Sequence, residues 1–124
     1  MKLLEDELFE MANLHRKESN LPVNLYFTGN GFHGITCYNC LRVKVQQDIA
    51  DRVDETNMSV LVFKTNENWD ILNIDKVGEF KLRSRDLNKI IKYIKYNWNT
   101  IVNHWVGKLT DYEFLSVLLS KNKN

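Results

Sequence analysis

One clear period runs through the C-terminal half of the chain. Leu87, Ile90, Ile91, Ile94, Trp98, Ile101, Val102 and Trp105 follow in steps of three, one, three, four, three, one and three. That is the 3.6-residue stripe of a helix with one buried face. It predicts a single long helix over 84–108, with Ser84 as N-cap and Asp86 in the first turn, where an acid suits the helix dipole. Gly107 and Lys108 supply its stop. Thr110 and Glu113 then form a T-x-x-E capping box, with Leu109 and Phe114 placed as its hydrophobic staple. Phe114, Leu115, Leu118 and Leu119 give the second helix its apolar face.

Upstream the period changes to two. Residues 23–28 alternate as a strand, and Gly29-Asn30-Gly31 follows as a turn. Residues 35–45 read as a second strand, in which Leu41, Val43 and Val45 point one way and Arg42 and Lys44 the other. Two positive side chains on one face predict that this face is wet. Residues 58–64 have the β-branched and aromatic content of a buried strand. Residues 69–74 alternate weakly, and 77–82 predict a final short strand across a glycine. The acidic stretch 46–57 fits a two-turn helix or a long polar hairpin loop equally well.

At the N-terminus, 3–14 is amphipathic, with Leu4, Leu8 and Met11 opposite Glu5, Asp6, Glu7 and Glu10, and reads as a peripheral helix. The next stretch is a loop that ends in the only proline, Pro22. Strands followed by segregated helices predict an α+β fold. The expected architecture is an antiparallel sheet of four to five strands, a short N-terminal helix and two C-terminal helices packed on one face. It forms one domain over 1–124.

Composition narrows the function classes. The 124 residues are 44% hydrophobic and 27% charged, an ordinary globular balance, and 17 basic against 16 acidic side chains leave a net charge of +1. That argues against a polyanionic partner held by net charge alone. No apolar run is long enough to span a bilayer. The acids of the first ten residues are unlike a secretory signal, so no membrane partner and a cytoplasmic address are expected. Cys37 and Cys40 then read as free thiols. Fifteen asparagines, with many Lys and Ile, suggest an AT-rich genome.

Several short strings resemble a family of small bacterial and phage proteins with no established activity. They are Glu7 to Leu14 (ELFEMANL), Leu21-Pro22 before VNLYF, the Gly29 to Gly34 turn with His33, and the strand Leu41 to Val45. Asn97, Trp105-Val106-Gly107 and the capped segment from Thr110 complete the pattern. The stretch between His33 and Arg42 is longer than the family's, and it holds both cysteines. The resemblance implies a one-domain fold and no particular chemistry.

Candidate chemistry is sparse. Cys37-Tyr38-Asn39-Cys40 with His33 gives at most three zinc ligands from one stretch, and a closed structural site needs four. The glycine-rich turn lacks the Lys-Ser/Thr of a phosphate-binding P-loop. No nucleophile or paired carboxylate accompanies His33, so no catalytic residue, metal or cofactor is assigned. The basic set is richer. Arg42, Lys44, Lys81, Arg83 and Arg85 lie on or just after strands, and Lys89, Lys92 and Lys95 follow with Tyr93 and Tyr96 among them. Interleaved basic and aromatic side chains can contact phosphates and stack bases.

The leading expectation is a non-enzymatic binding protein of a phage or mobile element, one that inhibits or modulates a host defence complex as an anti-CRISPR does. Its binding residues would be Arg42, Lys44, Arg83, Arg85, Lys89, Lys92, Tyr93, Tyr96 and His33. The alternative is a nucleic-acid-binding accessory of a toxin–antitoxin or regulatory operon, which needs the strand and helix cations to merge into one patch. A weaker alternative is a small hydrolase or nuclease using His33. A protein partner is expected, with self-association through an open sheet edge as a further option.

Overall fold

The computed structural model describes residues 11–28 and 41–121. Within them the order is β1 (Met11–Leu14), α1 (Arg16–Ser19), β2 (Leu25–Thr28), β3 (Leu41–Gln46), a 3-10 turn (Glu55–Asn57), β4 (Met58–Thr65) and β5 (Ile71–Val77). Then come α2 (Ser84–Tyr96), α3 (Trp98–Trp105) and α4 (Asp111–Lys121). The fold is α+β, and the expectation of helices C-terminal to an antiparallel sheet is met. His33, both cysteines and the glycine-rich turn lie outside the described residues.

The five strands form an antiparallel meander in chain order, β1-β2-β3-β4-β5. Period-2 alternation sets its two faces. Leu25 pairs with Val45 and Phe27 with Val43, while Val43 meets Leu61 and Leu41 meets Phe63 on the far side. These residues are fully or almost fully buried, in one core cluster with Ile90, Ile94, Ile101, Trp105, Phe114 and Leu118 of the helices. Phe27 meets Phe114 edge-on at 5.0 Å, and Phe63 meets Trp98 at 5.2 Å. Burying each such side chain contributes about 2 kcal/mol. All three C-terminal helices therefore feed one sheet face.

Four local expectations need correction. The segment 3–14 is not helical at its end: Met11–Leu14 is a strand paired with Leu25–Thr28. The short N-terminal helix is Arg16–Ser19 instead. Pairing to β2 satisfies a whole strand's backbone groups, which outweighs a weak local helix preference. The long helix is broken at Asn97, where φ is −101° and ψ is 20°. Both the Asn97 amide N–H and its side-chain Nδ2 donate to the Tyr93 carbonyl, at 3.1 and 3.0 Å. An asparagine side chain that competes for a helix carbonyl bends the ladder. The apolar stripe continues across the joint, which is why periodicity alone does not reveal it.

Ser84 is not the N-cap of α2. Arg83 holds that position without a side-chain cap bond. No strand forms past Val77 either. Gly78 turns the chain at φ 96°, and a Cβ there would come within 3.0 Å of Ser59 Oγ. The following backbone is bonded to side chains: Ser59 Oγ donates to the Glu79 carbonyl at 2.6 Å, and the Lys81 N–H donates to Gln47 Oε1 at 2.7 Å. The stretch 46–57 resolves in favour of the loop, with only the short 3-10 turn at its end.

The predicted helix ends hold. Lys108 N–H donates to the Asn103 carbonyl and Gly107 N–H to that of His104, with Gly107 at φ 85°. This is the Schellman pair of bonds that glycine permits. The Thr110 N–H donates to Glu113 Oε1 at 2.9 Å, and the Glu113 N–H to Thr110 Oγ1 at 3.1 Å. That is a complete capping box. Among the described residues no helix is long and apolar enough to cross a membrane.

Candidate functional site

The basic residues singled out from the sequence fall into two sets. Arg42 and Lys44 alternate with core residues of β3, so they lie on the sheet face away from the helices. Lys44 Nζ sits 5.8 Å from the centroid of the Tyr26 ring, a cation–π contact across β2 and β3. Arg85, Lys89 and Lys92 are exposed on α2, whose buried residues face the other side of the same sheet. The sheet and its core separate the two sets, so they do not merge.

On α2 itself the arrangement is tighter. Arg85, Lys89, Lys92 and Tyr96 recur at four, three and four residues, which aligns them on one outer stripe, and Lys95 lies beside it. None of these cations has a carboxylate within ion-pair distance among the described residues. The first-turn acid Asp86 is turned toward Arg83, at 3.8 Å from its Nε. Tyr96 is 74% exposed at the end of the stripe. Tyr93 is instead half-buried against the core.

Elsewhere the surface is shaped by carboxamides. Asn24 and Gln46 are fully buried on the outer side of the sheet's end. Asn24 Oδ1 accepts the Arg16 N–H at 2.7 Å, and its Nδ2 donates to Gln46 Oε1 and the Ala50 carbonyl. Gln46 Oε1 also accepts the Asp54 N–H at 2.9 Å, while its Nε2 donates to Asp48 Oδ1 and the Arg52 carbonyl. The acidic loop is therefore held by side-chain amides satisfying its main chain, in place of a ladder. Outside this network, Asp51 takes Arg16 at 2.8 Å and Lys17 at 3.1 Å, and these two hold its carboxyl below the usual range. The Thr56 hydroxyl and amide do the same for Asp54. The loop walls a cavity of about 690 Å³ with Asn13 and Tyr26, and Asn13 Oδ1 is buried without a partner. The acids there are already engaged: Asp48 with Gln46, Asp54 with Thr56.

A second concavity, about 620 Å³, opens between the β4–β5 turn and α3. The turn closes through the Trp69 N–H on the Asn66 carbonyl at 3.0 Å, and Asn66 Oδ1 accepts the amides of Asn68 and Asp70. Trp69 stands at φ 65°, a left-handed position that glycine usually fills. A bulky residue there costs about 1–2 kcal/mol. The Trp98 indole N–H donates to the Trp69 carbonyl at 2.7 Å and pins the strained backbone. Asn68, Asn99 and Asn103 also line this cleft, and their carboxamides have no hydrogen-bond partner among the described residues. Sequence reasoning did not single out these asparagines. Their signal was the asparagine excess, which reads equally well as genome composition.

The remaining polar feature is buried. His104, 3% exposed, stacks on Phe114 at 4.2 Å and bonds Asp111 Oδ1 through Nε2 at 2.6 Å. Burial lowers its pKa from 6.5, and Asp111 pulls it the other way. This pair ties α3 to the first turn of α4, with His104 buried and Asp111 partly exposed. Among the described residues no cluster of His, Cys, Asp or Glu could hold a metal ion. No family model, curated protein or solved structure matches the chain, so the likeness to small phage and bacterial proteins rests on its short strings alone.

Proposed function

We propose that this is a non-catalytic binding protein that docks an acidic protein surface through the outer face of α2. The observation that carries the reading is the uncompensated stripe of Arg85, Lys89 and Lys92, with Lys95 beside it and the exposed Tyr96 at its end. Cations without intramolecular partners raise association rates with a complementary patch, and an exposed tyrosine is a common interface anchor. The buried engagement of His104 with Asp111 supports a binding role over a catalytic one. Small size and the Asn-, Lys- and Ile-rich composition support the more concrete version. That version is a phage or mobile-element protein that inhibits or modulates a host defence complex.

Affinity capture from host lysate, with and without nuclease, tests this when run beside a Lys89→Glu/Lys92→Glu variant. The expected result is a protein partner that survives nuclease and is lost with the variant. Recovery that collapses with nuclease would replace the reading by the nucleic-acid alternative. Capture unchanged in the variant would remove α2 as the working surface.

A further inference from the structure

The cleft between the β4–β5 turn and α3 carries carboxamides on both walls. Asn99 and Asn103 stand one helical turn apart on α3, and their spacing puts Val102 and Val106 on the same helix face. Asn68 lines the opposite wall, formed by the turn. The walls are tied together. The Asn68 N–H donates to Asn66 Oδ1 at 2.9 Å, and the Trp98 indole N–H donates to the following carbonyl, that of Trp69, at 2.7 Å. The Trp69 side chain is itself packed against the core, so the groups left to meet a ligand are the three carboxamides, which have no partner among the described residues.

A carboxamide is the same donor and acceptor pair as a peptide unit, so it can accept the N–H and donate to the C=O of one residue of a passing chain. In an extended chain, successive residues present those groups to opposite sides. Four residues of helix advance about 6 Å, and two residues of extended chain about 6.7 Å. Asn99 and Asn103 therefore match the first and third residues of an extended segment, and Asn68 matches the second from the other wall. Val102 and Val106 give its side chains an apolar floor. The volume of about 620 Å³ is in the range of small-ligand sites.

Charge marks the two ends. Asp70, steadied by the Asn66 amide at 3.1 Å, follows the carbonyl that Trp98 holds and so lies at the Asn99 end. Lys108, whose N–H donates to the Asn103 carbonyl, lies at the other. They are the only charged groups on the described walls, so a polyanion finds no net attraction here. A segment with a base at one end and an acid at the other is matched at both.

We propose that this cleft binds a short extended peptide segment through its backbone. Asn99, Asn68 and Asn103 bond three successive residues, while Asp70 and Lys108 select a basic and an acidic flank. The site is separate from the basic α2 stripe and does not depend on the partner proposed for it.

Nuclear magnetic resonance titration of the full chain with acetyl-Lys-Val-Ser-Val-Glu-amide and with its reversed sequence tests the proposal. The expected result is saturable shifts of the Asn68, Asn99 and Asn103 side-chain amides with one of the two. The same peptide N-methylated at its central residues should bind at least about tenfold more weakly, since each lost N–H removes a modest hydrogen bond. The Asn99→Ala/Asn103→Ala variant should weaken the unmodified peptide by a similar factor. Lys108→Glu should transfer the preference to the peptide with Lys in place of Glu. Absence of a saturable shift with either sequence at about 10 mM would overturn the proposal. So would equal binding of the N-methylated peptide, or undiminished binding by the double alanine variant.

Discussion

The acidic loop and the Trp69 cleft are both built around carboxamides, yet they use them in opposite ways. At the loop, Asn24 and Gln46 are buried, and their carboxamides bond main chain, Asp48 and each other. At the cleft, the side-chain amides of Asn68, Asn99 and Asn103 have no partner among the described residues. The difference is one of solvent. A buried amide without a partner loses its water bonds and gains nothing, so it must be matched inside. An amide on an open wall is satisfied by water and can exchange that water for a ligand. α3 shows both uses within one helix: His104 turns inward to Asp111, whereas Asn99 and Asn103 line the cleft.

Removing Gln46 tests this contrast most severely. Gln46→Ala leaves the Asp54 N–H without its acceptor and the Asn24 amide with the Ala50 carbonyl alone, and the expected loss is roughly 2–4 kcal/mol by urea unfolding. A loss below about 1 kcal/mol would mean that water replaces the network and the loop is not held as described.

Acidification should have the next effect. The folded-state pKa of His104 lies below its ordinary 6.5, so the unfolded chain binds the proton more readily. The stability conferred by neutral His104 is complete above 6.5 and is lost as pH falls below it toward the folded value. Urea midpoints measured between about pH 5 and 7.5 should fall on the acid side, and His104→Gln should flatten that slope. An unchanged slope in the variant would assign the pH dependence to other groups.

Smaller effects bound the comparison from below. Thr110→Ala removes one half of the capping box and should cost about 1 kcal/mol, read from the same urea curves. Asn103→Ala removes an amide with no partner among the described residues and should shift stability by no more than about 0.5 kcal/mol. A larger loss would show that the cleft amides are structural after all, and the distinction between the two regions would fail.

Much of the fold was legible in the sequence because it rests on periods and short-range signals. The strands over Val43, Leu61 and Phe63, the stripe from Leu87 to Trp105 and the Thr110–Glu113 box all follow from patterns within a few residues of one another. The misread elements depend on distant partners. Met11–Leu14 is a strand because Leu25–Thr28 lies beside it, and 79–81 is irregular because Ser59 and Gln47 take its backbone bonds. The Asn97 joint is a local effect hidden by a stripe that continues through it.

The candidate sites divide along the same line. Periodicity alone aligns Arg85, Lys89, Lys92 and Tyr96 on one helix face, because a helix fixes which residues are neighbours. By itself the sequence thus determined the α+β class, the buried face of each main element and the existence of a basic helical stripe. It could not decide that Arg42 and Lys44 sit across the sheet from that stripe, since this depends on which strand face the helices cover. Nor could it bring Trp69 to Trp98, 29 positions away, or leave Asn99 and Asn103 free beside them. Those relations exist only once the sheet and helices pack, because a concave surface is made by elements that are remote along the chain.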